Sequence, residues 1–252
     1  TEDMGEVGIE NVKKVKSLGF KVFFYDPNPG IEHLFLPYFY REKEDGSKRI
    51  GSLEHSYNFL KSAMVEGVYD GMIRTSWDCS GVHNQVWMLH FALSAAYSWN
   101  ASKPGLEEFT SAFFKNYYGE DATDMQKLFL LLNEGAYYYM GTFERKVWHW
   151  GEIGKTHLPD LPRTDALEYD PFWNTEYAGQ VKKANEFLEK MNQAIDICKI
   201  NLSNNLNNSH DIEVFMSIAN LIRHTALTYL DLSELENSIT EAHNQRFLSY
   251  EE

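Results

Sequence analysis

Cysteine, long apolar runs and positive charge are all scarce in this sequence, and each scarcity excludes a class of protein. Only two cysteines occur among 252 residues, Cys79 and Cys198, which gives neither a disulfide framework nor the spacing of a metal site. No run of eighteen apolar residues occurs, so we expect no membrane span. Acidic residues outnumber Lys and Arg by 37 to 23, and the net charge of -14 argues against nucleic acid and anionic membrane surfaces as partners.

The residues that are abundant indicate a folded chain. Hydrophobic residues make up 43% of the sequence, which is enough for a sizeable core and argues against wholesale disorder. Aromatic residues make up 15%, a share that suits carbohydrate contact but more often reflects core packing. Three N-glycosylation sequons begin at Asn100, Asn201 and Asn207, and they matter only in a glycosylating secretory pathway. Secreted, periplasmic and cytoplasmic locations all remain open.

The segment Asp70–Gly81 has the pattern of a strand that ends in a polar loop. A β-like run covers Met72–Thr75, Trp77 and Asp78 follow it, and a helical pattern then runs over His83–Trp99. In such β/α units the loop after the strand is where chemistry occurs. A Trp ring can pack on the apolar face of a sugar, and a carboxylate can accept hydrogen bonds from its hydroxyls. Trp77 and Asp78 are therefore candidate binding residues; the alternative is a core tryptophan beside a helix-capping aspartate.

An earlier stretch repeats the same order of elements. A helix is predicted over Glu6–Leu18 and a strand over Phe20–Tyr25, and the segment Asp26–Gly30 ends that strand. This loop also begins beside an aromatic residue and a carboxylate, Tyr25 and Asp26. Because crossovers between parallel strands are right-handed and short, we expect the two strands to be parallel neighbours, with Tyr25 and Trp77 at the same end.

The second half of the sequence is predicted to be helical. Apolar residues spaced alternately by three and four, from about residue 174 to residue 250, predict a long antiparallel helix pair. His83 and His90 lie two helical turns apart, and we interpret them as structural rather than metal-binding, so no metal or cofactor is expected. The apolar side chains predicted to lie between the paired helices are Leu188, Met191, Ile195, Phe215, Ala219 and Ile222.

At this point a family resemblance can be stated. The run Tyr69-Asp70-Gly71-Met72-Ile73-Arg74-Thr75-Ser76-Trp77-Asp78, with Ala95-Ala96-Tyr97-Ser98-Trp99-Asn100 after it, resembles the last β/α unit of the family 20 glycoside hydrolases, the β-N-acetylhexosaminidases. The run Phe23-Phe24-Tyr25-Asp26 resembles the unit before it, and the resemblance covers roughly residues 6–120. It implies an α/β fold over residues 1–120, the last two β/α units of a TIM-like (β/α)8 barrel, followed by an all-α region over residues 121–252.

The resemblance also implies roles for four residues. In the family, a Tyr at the end of the seventh strand holds the acetamido oxygen of the substrate, and Tyr25 matches this catalytic residue. A Trp after the eighth strand stacks on the acetylated sugar, and Trp77 matches it. Acidic residues beyond each aromatic bind sugar hydroxyls, which suggests Asp26 and Asp78. In the family one residue separates aromatic from carboxylate, whereas here they are adjacent and point to opposite faces.

The catalytic pair of the family has no counterpart in this sequence. Family members use an adjacent Asp-Glu, in which the Glu is the general acid and the Asp orients the acetamido group during substrate-assisted, retaining hydrolysis. Glu44-Asp45 and Glu120-Asp121 have the reverse order and lie in turn or helical contexts. The resemblance therefore implies the C-terminal part of a longer enzyme that removes terminal N-acetylhexosamine from a carbohydrate substrate. Its partner would be the N-terminal remainder of the same enzyme, and the chain alone would be inactive.

Two other functions remain open on the sequence alone. Neighbouring parallel strands lie about 4.8 Å apart, so Asp26 and Asp78 could reach the ~5–10 Å separation of a glycosidase carboxylate pair. The chain would then belong to a different hydrolase family. Alternatively, the helical half is a non-catalytic binding or interaction module, supported by the first hundred residues.

Overall fold

The structure is a computed structural model, and helices make up most of it. It describes residues 4–28, 53–65, 67–76, 84–100, 104–142, 172–204 and 206–248. None of the helices in these ranges is both long enough and apolar enough to cross a membrane, as expected. The strands are β1 (Phe23–Asn28) and β2 (Gly71–Ser76), and a 3-10 turn covers Asn84–Trp87. The helices are α1 (Met4–Ser17), α2 (Leu53–Val65), α3 (Met88–Trp99), α4 (Leu106–Tyr118), α5 (Met125–Thr142), α6 (Trp173–Glu176), α7 (Ala178–Ser203) and α8 (Ser209–Leu248).

The predicted fold class, two units of a (β/α)8 barrel followed by an all-α region, is wrong. The described residues contain one sheet of two strands and are otherwise mainly helical, so a barrel fragment is not indicated. The reason for the error is that a helix-strand-loop order is a local pattern. It specifies each element from its own periodicity, but it does not specify how many further strands join the sheet.

The two strands pair in parallel, as predicted. The register runs from Phe23 opposite Gly71 to Asn28 opposite Ser76. Strand β1 begins later than predicted and continues through Pro27, whereas the sequence predicts that the segment Asp26–Gly30 ends the strand. Among the described residues, β1 pairs with a neighbour on one side only, and an edge strand of this kind is where a sheet tolerates proline.

Asp70 links the amino ends of the two strands by hydrogen bonds. Its backbone N–H donates to the Val22 carbonyl oxygen at 2.8 Å, and its carboxylate accepts from the Val22 N–H at 2.8 Å. The Lys16 ammonium group, one residue before the end of α1, donates to the other carboxylate oxygen at 3.0 Å. The Val22 hydrogen bond, followed by the Lys16 hydrogen bond, lowers the pKa of Asp70 below its ordinary value of 3.8.

We expect Asp70→Asn to lower the melting temperature at pH 7 and to have little effect in strong acid. Because the pKa of Asp70 is lower in the folded than in the unfolded chain, its ionised form stabilises the fold above pH 3.8. That contribution is lost as the pH falls through the folded pKa. Thermal unfolding from pH 7 to pH 2 should therefore show the two melting temperatures converging. Glu120→Gln, which removes the partner of the exposed Lys115 ammonium group, is the control; a difference for Asp70→Asn that is constant across the range would contradict the prediction.

The predicted antiparallel helix pair is confirmed in α7 and α8. The Arg223 Nε donates to Asn192 Oδ1 at 2.8 Å, and Asn174, just before α7, donates to Asn237 at 2.6 Å. Along α8 from Arg223 to Asn237, the contacting residue moves back along the chain from Asn192 to Asn174. The two helices therefore run in opposite directions. Of the six side chains predicted to lie between them, Leu188 is half-buried and the others are buried: Met191, Ile195, Phe215, Ala219 and Ile222.

The chain divides into two compact units. Unit 1 contains residues 1–133 and 197–215, and unit 2 contains residues 134–196 and 216–252. The predicted domain division near residue 120 stays a prediction. The largest fully buried side chains of unit 1 are Leu53, Leu60, Trp87, Leu93, Tyr97, Tyr118, Leu128, Leu132 and Phe215.

Candidate functional site

The carboxyl ends of β1 and β2 lie at the same edge of the sheet, where the sequence predicted the site. Asn28 and Ser76, the last residues of the two strands, are opposite each other in the register. Trp77 and Asp78 follow Ser76 in the sequence and lie outside the described residues, so their roles stay predictions. Tyr25 is three residues before the end of β1, about 10 Å along the strand, rather than at its end as predicted.

Tyr25 belongs to a sheet face that is apolar and half exposed. The exposed fractions are 55% for Phe23, 50% for Tyr25 and 52% for Ile73, which is opposite Tyr25 in the register. Gly71 lies opposite Phe23, and a Cβ atom at Gly71 would come within 2.7 Å of the Phe23 ring. The glycine thus lets the ring lie across β2. We call the surface of Phe23, Tyr25 and Ile73 the open face.

The other face of the sheet is partly covered and carries a cation. Because side chains alternate along a strand, Asp26 occupies a position on the face opposite to Tyr25, and the register pairs Asp26 with Arg74. The side chain of Asp26 is outside the described part of the chain. The Arg74 guanidinium donates to Ser56 Oγ on α2 at 3.3 Å, and burial lowers the pKa of Arg74 to about 9, so it stays charged at neutral pH.

The histidine and cysteine residues do not form a metal or nucleophile site in the part of the chain that is described. His90 is fully buried within α3, and His83 is outside the described residues. Across the described ranges, no three His, Cys, Asp or Glu side chains are close enough together to hold a metal ion. Cys198 is buried, and burial raises the pKa of its thiol to about 12, so the thiol is protonated and unreactive near neutral pH.

A groove of about 420 Å³ between α3 and α4 was not anticipated from the sequence. Along α4, the rings of Phe109, Phe113 and Tyr117 are spaced by four residues and stack in succession, with centroids 6.4 and 5.0 Å apart. The spacing is visible in the sequence, but the sequence does not show that these rings line a groove. The residues that line the groove are Ala92, Pro104, Phe109, Ala112, Phe113, Asn116 and Tyr117.

A buried carboxylate, Asp211, contacts the last residue of α4. The Tyr118 hydroxyl donates to Asp211 Oδ2 at 3.5 Å, and burial raises the pKa values of Asp211, Tyr117 and Tyr118. The Asn208 side chain donates to the Tyr117 carbonyl oxygen at 2.7 Å, which satisfies one of the carbonyl groups that the end of α4 leaves without a helical partner. The cluster therefore joins the end of α4 to the start of α8, and its polar atoms have structural partners.

Two surfaces thus remain as candidate binding sites, the open face with Tyr25 and the groove between α3 and α4. Of the four residues predicted from the family resemblance, Tyr25 is the one whose side chain the structure describes. In comparisons with known proteins, no protein-family model, no curated protein and no solved structure matches the chain.

Proposed function

We propose that this chain forms part of the sugar pocket of a glycoside hydrolase of the β-N-acetylhexosaminidase type. The observation that supports the proposal best is the parallel register of β1 and β2. It brings the carboxyl ends of both strands to one edge of the sheet, with Tyr25 half exposed and Trp77 next in the sequence after Ser76. The proposal rests on these residues and does not require a barrel.

In this proposal the two aromatic residues recognise different parts of one sugar. The Tyr25 hydroxyl donates to the acetamido oxygen, and the Trp77 ring packs against the CH-rich face of the ring. Asp78 accepts hydrogen bonds from the outer hydroxyls. Asp26, which occupies the opposite face from Tyr25, binds hydroxyls only at the edge of the sheet, where a ligand can reach both faces.

Hydrolysis needs groups beyond these four residues. We propose that the N-terminal remainder of the same enzyme supplies the Asp-Glu pair, whose Glu protonates the leaving oxygen while the acetamido oxygen attacks the sugar carbon. By holding that oxygen in line with the carbon, Tyr25 acts mostly in the transition state. The chain alone should then bind the sugar without hydrolysing it.

Tyr25→Phe should weaken binding of N-acetylglucosamine and leave binding of glucose unchanged. The substitution removes one hydroxyl and keeps the ring, so the expected loss is a single hydrogen bond, about 1 kcal/mol or roughly five-fold in the dissociation constant. Titration of the intact chain with each sugar, followed by nuclear magnetic resonance, measures both constants.

Two further variants test whether the effect belongs to the Tyr25 hydroxyl and to the acetamido group of the sugar. Tyr57→Phe removes the hydroxyl of a partly exposed tyrosine on α2 and should change neither constant. Trp77→Ala should weaken binding of both sugars, because ring stacking does not depend on the acetamido group. Equal losses for both sugars with Tyr25→Phe would remove the role proposed for Tyr25 and would favour a hydrolase that uses Asp26 and Asp78 as its carboxylate pair.

A second candidate function, a helical interaction module, is favoured by the predominance of helices, with α8 alone spanning 40 residues. It predicts that neither sugar binds and that Trp77→Ala has no effect on ligand titrations. The same experiment therefore separates the two functions, because an absence of sugar binding would overturn the first and leave the second.

A further inference from the structure

Asn201 is a completely buried side chain in the last turn of α7, and all of its polar atoms are used. Its Oδ1 accepts from the Thr123 N–H at 2.9 Å. Its Nδ2 donates one hydrogen to the Thr123 carbonyl oxygen at 2.8 Å and the other to the Ile197 carbonyl oxygen at 2.8 Å. The exposed fraction of the residue is 0%. The amide thus holds the segment before α5 against the end of α7, all within unit 1.

The same asparagine begins a sequon, Asn201-Leu202-Ser203. Glycosylation would form a bond between Nδ2 and the anomeric carbon of a glycan and break the bond from that carbon to its lipid-pyrophosphate carrier. The carrier and one amide proton would be released. Nδ2 would then retain one hydrogen, whereas the fold uses two, and a sugar would occupy space that is filled by protein.

We infer that a glycan on Asn201 and the folded state of unit 1 exclude each other, and that the folded chain accommodates an N-glycan at Asn207. Asn207 is exposed. Its backbone N–H donates to the Tyr118 carbonyl oxygen at 2.9 Å.

The Asn201 and Asn207 sequons therefore differ in a way that the sequence does not show. A backbone hydrogen bond is unaffected by a sugar on the side chain, so modification at Asn207 leaves this contact intact. Modification at Asn201 removes at least one of two buried hydrogen bonds and expels the side chain from the interior. In a glycosylating pathway, transfer at Asn201 should divert the chain from folding, and removing that sequon should raise the yield.

The experiment uses the whole chain, denatured so that each sequon is accessible. It is incubated with a eukaryotic oligosaccharyltransferase and its lipid-linked donor, and the modified pool is refolded by dilution. Size-exclusion chromatography separates folded monomer from aggregate, and glycopeptide mapping gives the occupancy of each asparagine before and after refolding. We expect Asn201 glycopeptides to be depleted at least ten-fold in the monomer, and Asn207 glycopeptides to be retained.

Two serine variants serve as a matched pair. Ser203→Ala removes the Asn201 sequon and keeps the asparagine. The change should be mild, because the Ser203 hydroxyl is exposed and donates within its own helix turn, to the Ile200 carbonyl oxygen at 2.7 Å. It should raise the folded yield after secretion from a glycosylating host, whereas Ser209→Ala, which removes the Asn207 sequon, should not. A folded monomer in which Asn201 carries a glycan as often as in the denatured pool would overturn the inference. Equal secreted yields of wild type and Ser203→Ala, in a host that glycosylates Asn201, would also overturn it.

Discussion

Asn201→Asp should destabilise unit 1 by about 3–5 kcal/mol, because it leaves a buried charge without a compensating partner. Aspartate has nearly the shape of asparagine, so the change tests hydrogen bonding rather than packing. The ionised side chain cannot donate, and one of its oxygens would face the Thr123 and Ile197 carbonyl oxygens that now accept from Nδ2. Urea unfolding at pH 7, followed by far-ultraviolet circular dichroism, measures the loss.

Asn204→Asp is the matched control for that prediction. Asn204 follows the end of α7 and is partly exposed, and its side chain donates to the Asp121 carbonyl oxygen at 3.1 Å. Water can replace this bond, so we expect a loss below about 1 kcal/mol. Protonation at low pH should also reduce the cost of Asn201→Asp, since a neutral carboxyl group can donate once. Equal stability losses for the two substitutions would show that the Asn201 amide contributes no more than a surface amide.

Gly135→Leu should destabilise unit 2 by about 1–3 kcal/mol through overpacking. Gly135 lies in the middle of α5, where a Cβ atom would come within 2.7 Å of the Met191 Cε, 2.9 Å of its Sδ and 3.2 Å of the Ile222 Cδ1. Met191 and Ile222 lie in α7 and α8 and are buried, so the leucine side chain has no space to enter. The midpoint of urea unfolding is again the measurement.

Gly179→Leu makes the same substitution where space is open. Gly179 lies in the first turn of α7, and a Cβ atom there would meet nothing within 4 Å. Because leucine favours helix more than glycine does, we expect this variant to be unchanged or stabilised by up to ~1 kcal/mol. If Gly135→Leu had the same small effect, α5 would not approach α7 and α8 as closely as the structure indicates.

The features predicted correctly from the sequence are those set by local periodicity. Pro104 precedes α4 and Gly119 follows it, positions at which proline and glycine are typical, and Gly119 has a φ of 113°, a conformation that glycine adopts without strain. The alternating spacing of apolar residues identified the α7–α8 pair and its buried side chains, because a helix must bury its apolar stripe on a partner.

The features that were missed depend on contacts between distant residues. The sequence does not show that Asn201 reaches Thr123, or that Gly135 lies against Met191, because each contact joins segments more than fifty residues apart. The extent of β1 was misjudged because Pro27 is unfavourable in a central strand and harmless at an edge. The barrel was predicted from two local units, and the number of strands in a sheet is not a local property.

The candidate site was predictable only in part. Tyr25 has the exposure that a binding role needs, although it lies within β1 rather than at its end. The assignments of Asp26, Trp77 and Asp78 rest on the family resemblance.

The open face has a consequence for the behaviour of the protein in concentrated solution. Three half-exposed apolar side chains on a short sheet offer a surface on which two molecules can associate. The net charge of -14 opposes such encounters by mutual repulsion, which extends about 10 Å at 0.1 M salt and about 3 Å at 1 M. Colloidal stability should therefore depend on ionic strength, and adding salt should promote self-association even though every contact within the fold is unchanged.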